Sequence, residues 1–218
     1  MKLIFSLFFL IFAKTLFAGD ISSEYIIKVK GLTIGTLNWN LEMTDTFYNF
    51  TVSLKNKGFL SNIYNFNGNY NSVGSIENGN FIPNKYKQKW QTKNKYREVE
   101  IVFVDRKIIS LSLLPTEKES PRINIRNLVG YVDPLTSFLK ILIFNKPSST
   151  TDGRRIYTLN PQGDNTKNKI LIKKFKNIWA DHKRNDLEYL VLYQKNGDLL
   201  PTKIEIKFQK IIFILTKL

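Results

Sequence analysis

Few residues in the sequence have the type and spacing that catalysis requires. His182 is the only histidine in the chain, and it lies in the polar segment Asp181-His182-Lys183-Arg184. A hydrolytic triad needs an imidazole beside a nucleophile and an orienting carboxylate, and the chain has no Gly-x-Ser-x-Gly motif. The chain also has no cysteine, which excludes thiol catalysis and disulfide bonds. We therefore expect no catalytic residue, no cofactor and no metal site.

Charged residues alternate along two predicted strands. Glu98 and Glu100 are two residues apart and share one face of a strand, whereas the paired acids of a glycosidase must meet in a cleft. Lys85, Lys87 and Lys89 form a similar stripe, and the aromatic residues of that strand lie on its opposite face. Nucleic-acid bases stack on rings that lie beside cations, so this pattern does not favour nucleic acid. Both sets are interpreted as solvated faces, and the lysines could touch anionic lipid headgroups.

Two adjacent arginines, Arg154 and Arg155, follow the turn dipeptide Asp152-Gly153. Guanidinium groups bind phosphate and carboxylate groups strongly, so the pair is a candidate anion site. Successive residues of a strand point to opposite faces, so only one of the two can face a given site. The alternative is that one arginine binds Asp133 or another acid and ties the sheet together.

Aromatic residues are plentiful, with 16 Phe, 10 Tyr and 3 Trp, and most of them should belong to the core. If the sheet curls without closing tightly, some of the large apolar residues would line a cavity. The candidate ligand-binding residues, in addition to Arg154 and Arg155, are Trp39, Phe50, Trp90, Phe103, Phe138 and Leu142.

The 218-residue chain is basic, with 33 Lys and Arg residues against 18 Asp and Glu residues and a formal net charge of +15. Such a charge can indicate nucleic acid, an anionic membrane surface or acidic glycans as a partner. The lysines are spread along the chain, however, and a nucleic-acid site should concentrate them. We therefore do not expect nucleic acid, keep an anionic membrane surface as a candidate partner, and find no indication of a protein partner.

Residues 1–18 have the pattern of a secretory signal peptide. Met1-Lys2 is a short basic start, Leu3 to Ala13 is mostly apolar, and Leu16-Phe17-Ala18 precedes a polar segment. The apolar run is too short to span a bilayer as a helix. We expect cleavage after Ala18, export to the periplasm of a Gram-negative bacterium, and a soluble mature chain, residues 19–218, that forms a single β-rich domain. An uncleaved anchor is the alternative.

Strand patterns dominate the mature chain. Leu37, Trp39 and Leu41 alternate with polar neighbours, which is typical of an antiparallel strand with one buried face. Similar segments recur about every ten residues and are separated by turn residues. Pro83 predicts an edge or a bulge at the start of its strand. The sequence thus predicts a mainly β protein: an antiparallel meander of about ten or eleven strands, curled into a half-barrel or open barrel.

One segment, from about residue 133 to residue 145, has the pattern of a helix. Asp133 can cap its first turn, and Pro134 suits the first helical position, where no N–H donor is needed. Leu135, Phe138 and Leu139 then recur at helical spacing. A helix with one apolar face among many strands should pack on or in the concave side of the sheet.

Several short motifs together resemble a family of exported bacterial proteins, the domain of unknown function 3108. The matching segments cover almost the whole mature chain and are Tyr25 with Gly31–Thr36, Gly79 with Phe81–Pro83 and Tyr86, Val132–Leu139, Asp152–Tyr157, and Leu200–Ile204. The resemblance implies an exported, soluble, β-rich envelope protein in which Asp133, Pro134 and Gly153 belong to the structural motifs. It implies no activity, cofactor or catalytic residue. In general outline the chain is also similar to lipoprotein-carrier proteins, which are half-barrels that hold acyl chains.

We therefore expect a non-catalytic cell-envelope protein that holds an apolar or lipid-like ligand in the concave face of its sheet. The alternative is a structural or protein-interaction module of the periplasm whose interior is packed solid. An emptiable cavity would distinguish the first from the second. An enzyme would instead need a convergent polar cluster around Arg154, Arg155 or His182. A membrane-spanning barrel, with an outward apolar band and a polar interior, is the structural rival.

Overall fold

The computed structural model describes residues 19–58, 65–164, 166–180 and 186–218. The predicted signal peptide and His182 lie outside these residues. The strands of the described chain are β1 (Gly19–Val29), β2 (Leu32–Met43), β3 (Phe47–Asn56), β4 (Phe66–Glu77), β5 (Asn80–Thr92), β6 (Tyr96–Val104), β7 (Lys107–Leu114), β8 (Ser148–Thr151), β9 (Arg155–Gly163), β10 (Lys167–Asn177), β11 (Leu187–Tyr193), β12 (Lys203–Phe208) and β13 (Ile211–Lys217). Helix α1 spans Pro134–Phe144, and a short 3-10 helix spans Ile125–Asn127.

All thirteen strands form one antiparallel sheet in which most neighbours along the chain are also neighbours in the sheet. β1 additionally pairs with β13, so that the first and last strands meet in the middle of the sheet. β7 and β8 are the two edges, and their described residues are not paired with each other. The mainly β, antiparallel meander is confirmed, and the sheet is open rather than closed by hydrogen bonds.

The alternating pattern of β2 is confirmed, because Leu37, Trp39, Leu41 and Met43 are all buried on one face. The predicted irregularity at Pro83 is also present. Residue 74 pairs with Pro83 while its neighbour, residue 73, pairs with residue 85, so β5 carries one extra residue at this point. A proline cannot donate to the ladder, and a bulge accommodates it without an unmet bond.

The sheet has thirteen strands instead of the ten or eleven that the sequence predicts. The clearest omission is β8, whose four residues are all Ser or Thr and therefore carry no apolar alternation. Three of these four residues are nevertheless buried, because α1 packs against this strand. Burial of β8 thus depends on a distant segment of the chain, which no local pattern indicates.

Helix α1 confirms the predicted helix almost residue for residue. The Asp133 side chain caps its N-terminus, Pro134 occupies the first turn, and Asn145 ends it in the left-handed conformation with φ 50°. The helix contacts β4, β5 and β8 and lies on the concave face of the sheet, where Leu139 and Ile141 are buried. Within the described residues, no helix is long and apolar enough to cross a membrane.

Candidate functional site

The predicted apolar cavity is largely occupied by the protein's own side chains. The ring centroids of Trp39 and Phe50 are 5.7 Å apart, and those of Trp39 and Phe138 are 5.2 Å apart, both in edge-on arrangements. Leu142 packs against the same cluster, so that α1 fills the concave face above β2 and β3. Phe103 is buried in a second apolar cluster between β6 and β7. Trp39, Phe50, Phe138 and Leu142 thus pack against one another, whereas Phe103 also borders an open cavity beside β4, β5 and β6.

A hydroxyl network lies beneath the first turn of α1. Oδ1 of Asp133 accepts hydrogen bonds from the backbone amides of Leu135 at 2.9 Å and Thr136 at 3.0 Å. Its Oδ2 accepts from the hydroxyls of Ser72 at 2.9 Å and Thr136 at 2.5 Å. The hydroxyl of Tyr48 shares a further hydrogen bond of 2.6 Å with Thr136. The helix cap is therefore also the link between α1 and strands β3 and β4.

This network encloses a carboxyl group with no exposed surface and no paired cation among the described residues. Burial raises the pKa of Asp133 above its ordinary value, and the bonds from Thr136, Ser72 and Leu135 oppose that rise. Burial also raises the pKa of Tyr48, with a further contribution from the charge of Asp133. The cluster has no opening to solvent through which a substrate could reach it, and it is best described as a fold-stabilising link.

The arginine pair lies in a tight turn between β8 and β9. Oδ1 of Asp152 accepts from the backbone amides of Arg154 at 2.9 Å and Arg155 at 2.7 Å, which fixes the turn. Gly153 adopts φ 80°, and its carbonyl accepts a 3.1 Å hydrogen bond from the indole of Trp179. The turn thus presents both arginines at the end of the sheet.

Each arginine is tied to an acid, although neither acid is Asp133. Arg154 forms an ion pair with Glu117 and donates to the carbonyl of Pro115 at 3.1 Å. Arg155 lies 3.9 Å from the carboxylate of Asp152. Burial lowers the pKa of Arg154, and the adjacent Arg97 and Arg155 lower it further. Arg97 and Arg155 thus lie close enough to Arg154 to disfavour its charged form.

The three arginines border an open cavity of about 730 Å³, which we call the arginine cavity. It lies at the end of the sheet that carries the β5–β6, β8–β9 and β12–β13 turns. Its aromatic lining residues are Trp90, Trp179 and Phe208. Its charged lining residues are five bases and three acids: Lys95, Arg97, Lys118, Arg154 and Arg155, with Glu117, Glu119 and Asp186.

Of the eight predicted ligand-binding residues, the structure brings Trp90, Arg154 and Arg155 together at this cavity. The other five lie in apolar clusters, and Phe103 also borders a second open cavity. Arg97 and Trp179 were not among the residues that the sequence predicts for a site. Arg97 could have been found, because it precedes the inward-facing Val99 by two residues and shares its face. Trp179 follows a strand in an irregular segment and has no periodic signal.

The acidic and lysine stripes lie together on the convex face. Lys85 and Lys87 contact Glu100 at 2.8 and 3.2 Å, and Lys89 contacts Glu98 at 3.2 Å. The two glutamates therefore form a solvated ion-pair ladder between β5 and β6 rather than a cleft. Among the described residues, no group of three or more His, Cys, Asp or Glu side chains could hold a metal ion.

An open antiparallel sheet with a helix on its concave side defines a barrel-like β protein. A solved structure of this kind, a beta-barrel-like protein of domain of unknown function DUF1849 from Brucella abortus, is similar to this chain with a TM-score of 0.52 at 9% identity. The similarity covers 91% of this chain and 95% of that one and reflects a shared fold. Residues 24–171 match the family described as "Protein of unknown function (DUF3108)", and the chain belongs to this family. The comparison with curated proteins gave no match.

Proposed function

We propose that this protein is an exported, non-catalytic component of the cell envelope that binds a lipid-like ligand with an anionic group in the arginine cavity. The observation that carries the proposal is the combination of three aromatic residues and three arginines around one space of about 730 Å³. This volume is within the usual range of about 300–1,000 Å³ for small-molecule sites. The N-terminal pattern of residues 1–18 supports export.

The charge of the cavity supports an anionic headgroup. Arg97 forms no ion pair with a described residue, and Nε of Arg154 is buried without a hydrogen-bond partner among them. Arg97 can therefore bind a ligand anion without first losing an intact pair, whereas the terminal nitrogens of Arg154 are already bound to Glu117 and Pro115. Guanidinium groups form charge-assisted, often bidentate bonds with phosphate and carboxylate oxygens.

The aromatic lining of the cavity supports a ligand that is apolar in part. Trp90 lines the cavity and stacks on Phe66 with ring centroids 5.7 Å apart and planes 10° apart. The concave face beyond is occupied by α1 and the cluster around Trp39. We therefore place the ligand at the mouth of the sheet, with its chain against Trp90, Trp179 and Phe208, rather than within the concavity.

The packed interior also favours the second candidate function, a structural or protein-interaction module. In that case the arginine cavity would be solvated and its ion pairs would serve only to hold the end of the sheet. The two functions differ in whether the cavity takes up an amphiphile.

Titration of the mature chain, residues 19–218, with dodecyl phosphate below its micelle concentration tests the proposal. Because Trp90 and Trp179 line the cavity, we expect a saturable change in tryptophan fluorescence. Arg97→Gln should weaken binding about tenfold, the usual effect of one lost charge-assisted contact. Trp90→Phe should reduce the fluorescence change while preserving the stack on Phe66.

The matched control for charge is Arg126→Gln, which removes an exposed arginine outside the cavity and should leave binding unchanged. Dodecyl maltoside, with the same chain and no charge, should bind much more weakly. Equal binding of both amphiphiles, or equal affinity in Arg97→Gln, would exclude the arginine cavity as the site. No saturable response at all would favour the structural module. Export is tested separately by sequencing the N-terminus of the protein from fractionated cells, which should begin near Gly19.

A further inference from the structure

A second pair of cations lies at the opposite end of the sheet from the arginine cavity. Lys140 is on α1, and Arg106 is in the turn between β6 and β7. Both line a cavity of about 120 Å³, together with residues at the start of β5 and in the segment before α1. Among the described residues, no acid lines this cavity and neither cation forms an ion pair. It is a pocket with positive charge and no counter-charge of its own.

The position of Arg106 is conformationally unfavourable. Asp105 and Arg106 have φ of 50° and 61°, in the left-handed region where glycine is the preferred residue of such a two-residue hairpin turn. The amide of Gly130 donates to the carbonyl of Arg106 at 3.0 Å and fixes this turn beside the segment that leads to α1. The chain therefore holds a long cationic side chain where a glycine would fit with less strain.

The environment of Lys140 also disfavours the charged form of its amine. The residue is half-buried on α1, and burial lowers the pKa of its amine, with the nearby charge of Arg106 lowering it further. Arg106 is exposed, and two like charges that line one pocket repel each other unless an anion lies between them. Asn80 and Tyr131 also line the pocket and could add neutral donors.

The volume agrees with a small anion. A cavity of about 150 Å³ can hold one benzene molecule, so about 120 Å³ has room for a tetrahedral oxyanion but not for a long acyl chain. The rest of the lining includes the apolar residues Phe81, Ile82 and Pro83.

We propose that Lys140 and Arg106 form a binding site for a phosphate group, either free inorganic phosphate or the phosphomonoester headgroup of a lipid. The site is separate from the arginine cavity, because the two lie at opposite ends of the strands. A single molecule would therefore bind anions at both ends of its sheet.

The test is the thermal midpoint of unfolding of the mature chain in millimolar inorganic phosphate at constant ionic strength set with chloride. We expect a saturable rise in wild type, about 3 °C at ten times the dissociation constant. Lys140→Met keeps the length and apolar stem of the side chain and should abolish the saturable rise. Arg106→Gly should weaken phosphate binding about tenfold while the turn is retained, because glycine accepts its left-handed conformation.

Lys107→Gln is the matched control, because it removes an exposed charge next to Arg106 that does not line the pocket. It should preserve the response. Any general salting effect of phosphate on stability will persist in Lys140→Met and can be subtracted. Equal responses in wild type, Lys140→Met and Arg106→Gly would overturn the proposal. If Lys140→Met does not fold, the response of Arg106→Gly to phosphate still tests the proposal.

A second arm identifies the source of the phosphate. Co-sedimentation is measured with phosphatidylcholine vesicles that contain phosphatidic acid, a phosphomonoester, or phosphatidylglycerol, a phosphodiester. Preferential binding to phosphatidic acid that is lost in Lys140→Met assigns a lipid headgroup. A response to inorganic phosphate without vesicle binding assigns the free ion. Because Arg97→Gln leaves this pocket intact, failure of the arginine cavity and failure of this site are distinguishable.

Discussion

Asp133 combines two tasks in one carboxyl group. One oxygen caps α1 and the other accepts from Ser72 on β4 and from Thr136 on the helix, so the cap also joins the helix to the sheet. The group is fully buried, and its ionisation in the folded state is opposed by desolvation. Hydroxyl donors at short range partly compensate, which explains why Ser, Thr and Tyr surround it instead of a lysine or arginine.

The raised pKa predicts how stability depends on pH. A carboxyl whose folded pKa lies above its unfolded value contributes most to stability below the unfolded pKa, and that contribution is lost as pH rises through the folded pKa. Asp133→Asn removes this ionisation. The free energy of unfolding of the variant should therefore rise relative to that of wild type as pH increases above about 4, by at most about 1.4 kcal/mol per pH unit. Urea unfolding at a series of pH values measures the difference.

Tyr48→Phe provides the control for that experiment. It removes the hydroxyl that bonds Thr136 but leaves Asp133 in place, so it should lower stability by about 1 kcal/mol and retain the pH-dependent step of wild type. Parallel pH profiles for wild type and Asp133→Asn would show that the carboxyl titrates in the folded protein as it does in the unfolded chain.

At the scale of elements, one extra residue in β10 keeps the apolar side chains of this strand on its buried face. Ile170 and Ile172 are buried, so strict alternation would turn Lys174 inward. The register between β9 and β10 shifts after Lys173, and Lys174 adopts φ 54°, which is a bulge. Phe175 consequently packs on the core side, 6.2 Å from Tyr157, and Lys174 is exposed.

This bulge predicts opposite effects of glycine at two adjacent lysines. Lys174→Gly relieves the left-handed conformation and should raise the free energy of unfolding by about 0.5–1 kcal/mol. Lys173→Gly, at an equally exposed position in ordinary strand conformation, should lower it by about 0.5–1 kcal/mol. Chemical denaturation compares the two variants. A loss of stability in both would mean that Lys174 does not occupy the bulge position.

At the scale of the molecule, the two edges of the curled sheet approach each other, but the described residues of β7 and β8 do not pair with each other. The β8–β9 turn instead packs against the opposite edge, since a Cβ added to Gly153 would lie 2.8 Å from both Leu111 on β7 and Val99 on β6. The ion pair between Arg154 and Glu117 ties the same turn to the segment after β7. Side-chain contacts thus replace strand pairing where the edges approach.

Gly153→Ala tests this closure. It combines a left-handed backbone with a side-chain clash, so it should lower the free energy of unfolding by about 2–4 kcal/mol. Gly79→Ala is the matched control, because Gly79 has a similar φ of 74° and a Cβ added there would meet no atom within 4 Å. That substitution should cost only about 1 kcal/mol. Equal losses in the two variants would show that the edges are not held together at Gly153.

The sequence determined the features that depend on local chemistry. Alternation in β2, the cap at Asp133 and the bulge at Pro83 each follow from the preferences of a few adjacent residues, and each is present in the structure. Together with the recurring strand patterns, these features predicted an antiparallel meander curled into a half-barrel or open barrel with one helix packed on or in it.

The tertiary structure decided what depends on contacts between distant segments. Arg154 meets Glu117, Arg97 and Trp90 in one cavity only because the two edges of the sheet approach each other, and Arg106 meets Lys140 only because α1 lies on the concave face. The same helix fills the space in which Trp39, Phe50 and Phe138 were expected to receive a ligand. Periodicity assigns a residue to a face of the sheet, but the volume left between opposing faces is a property of the packed whole.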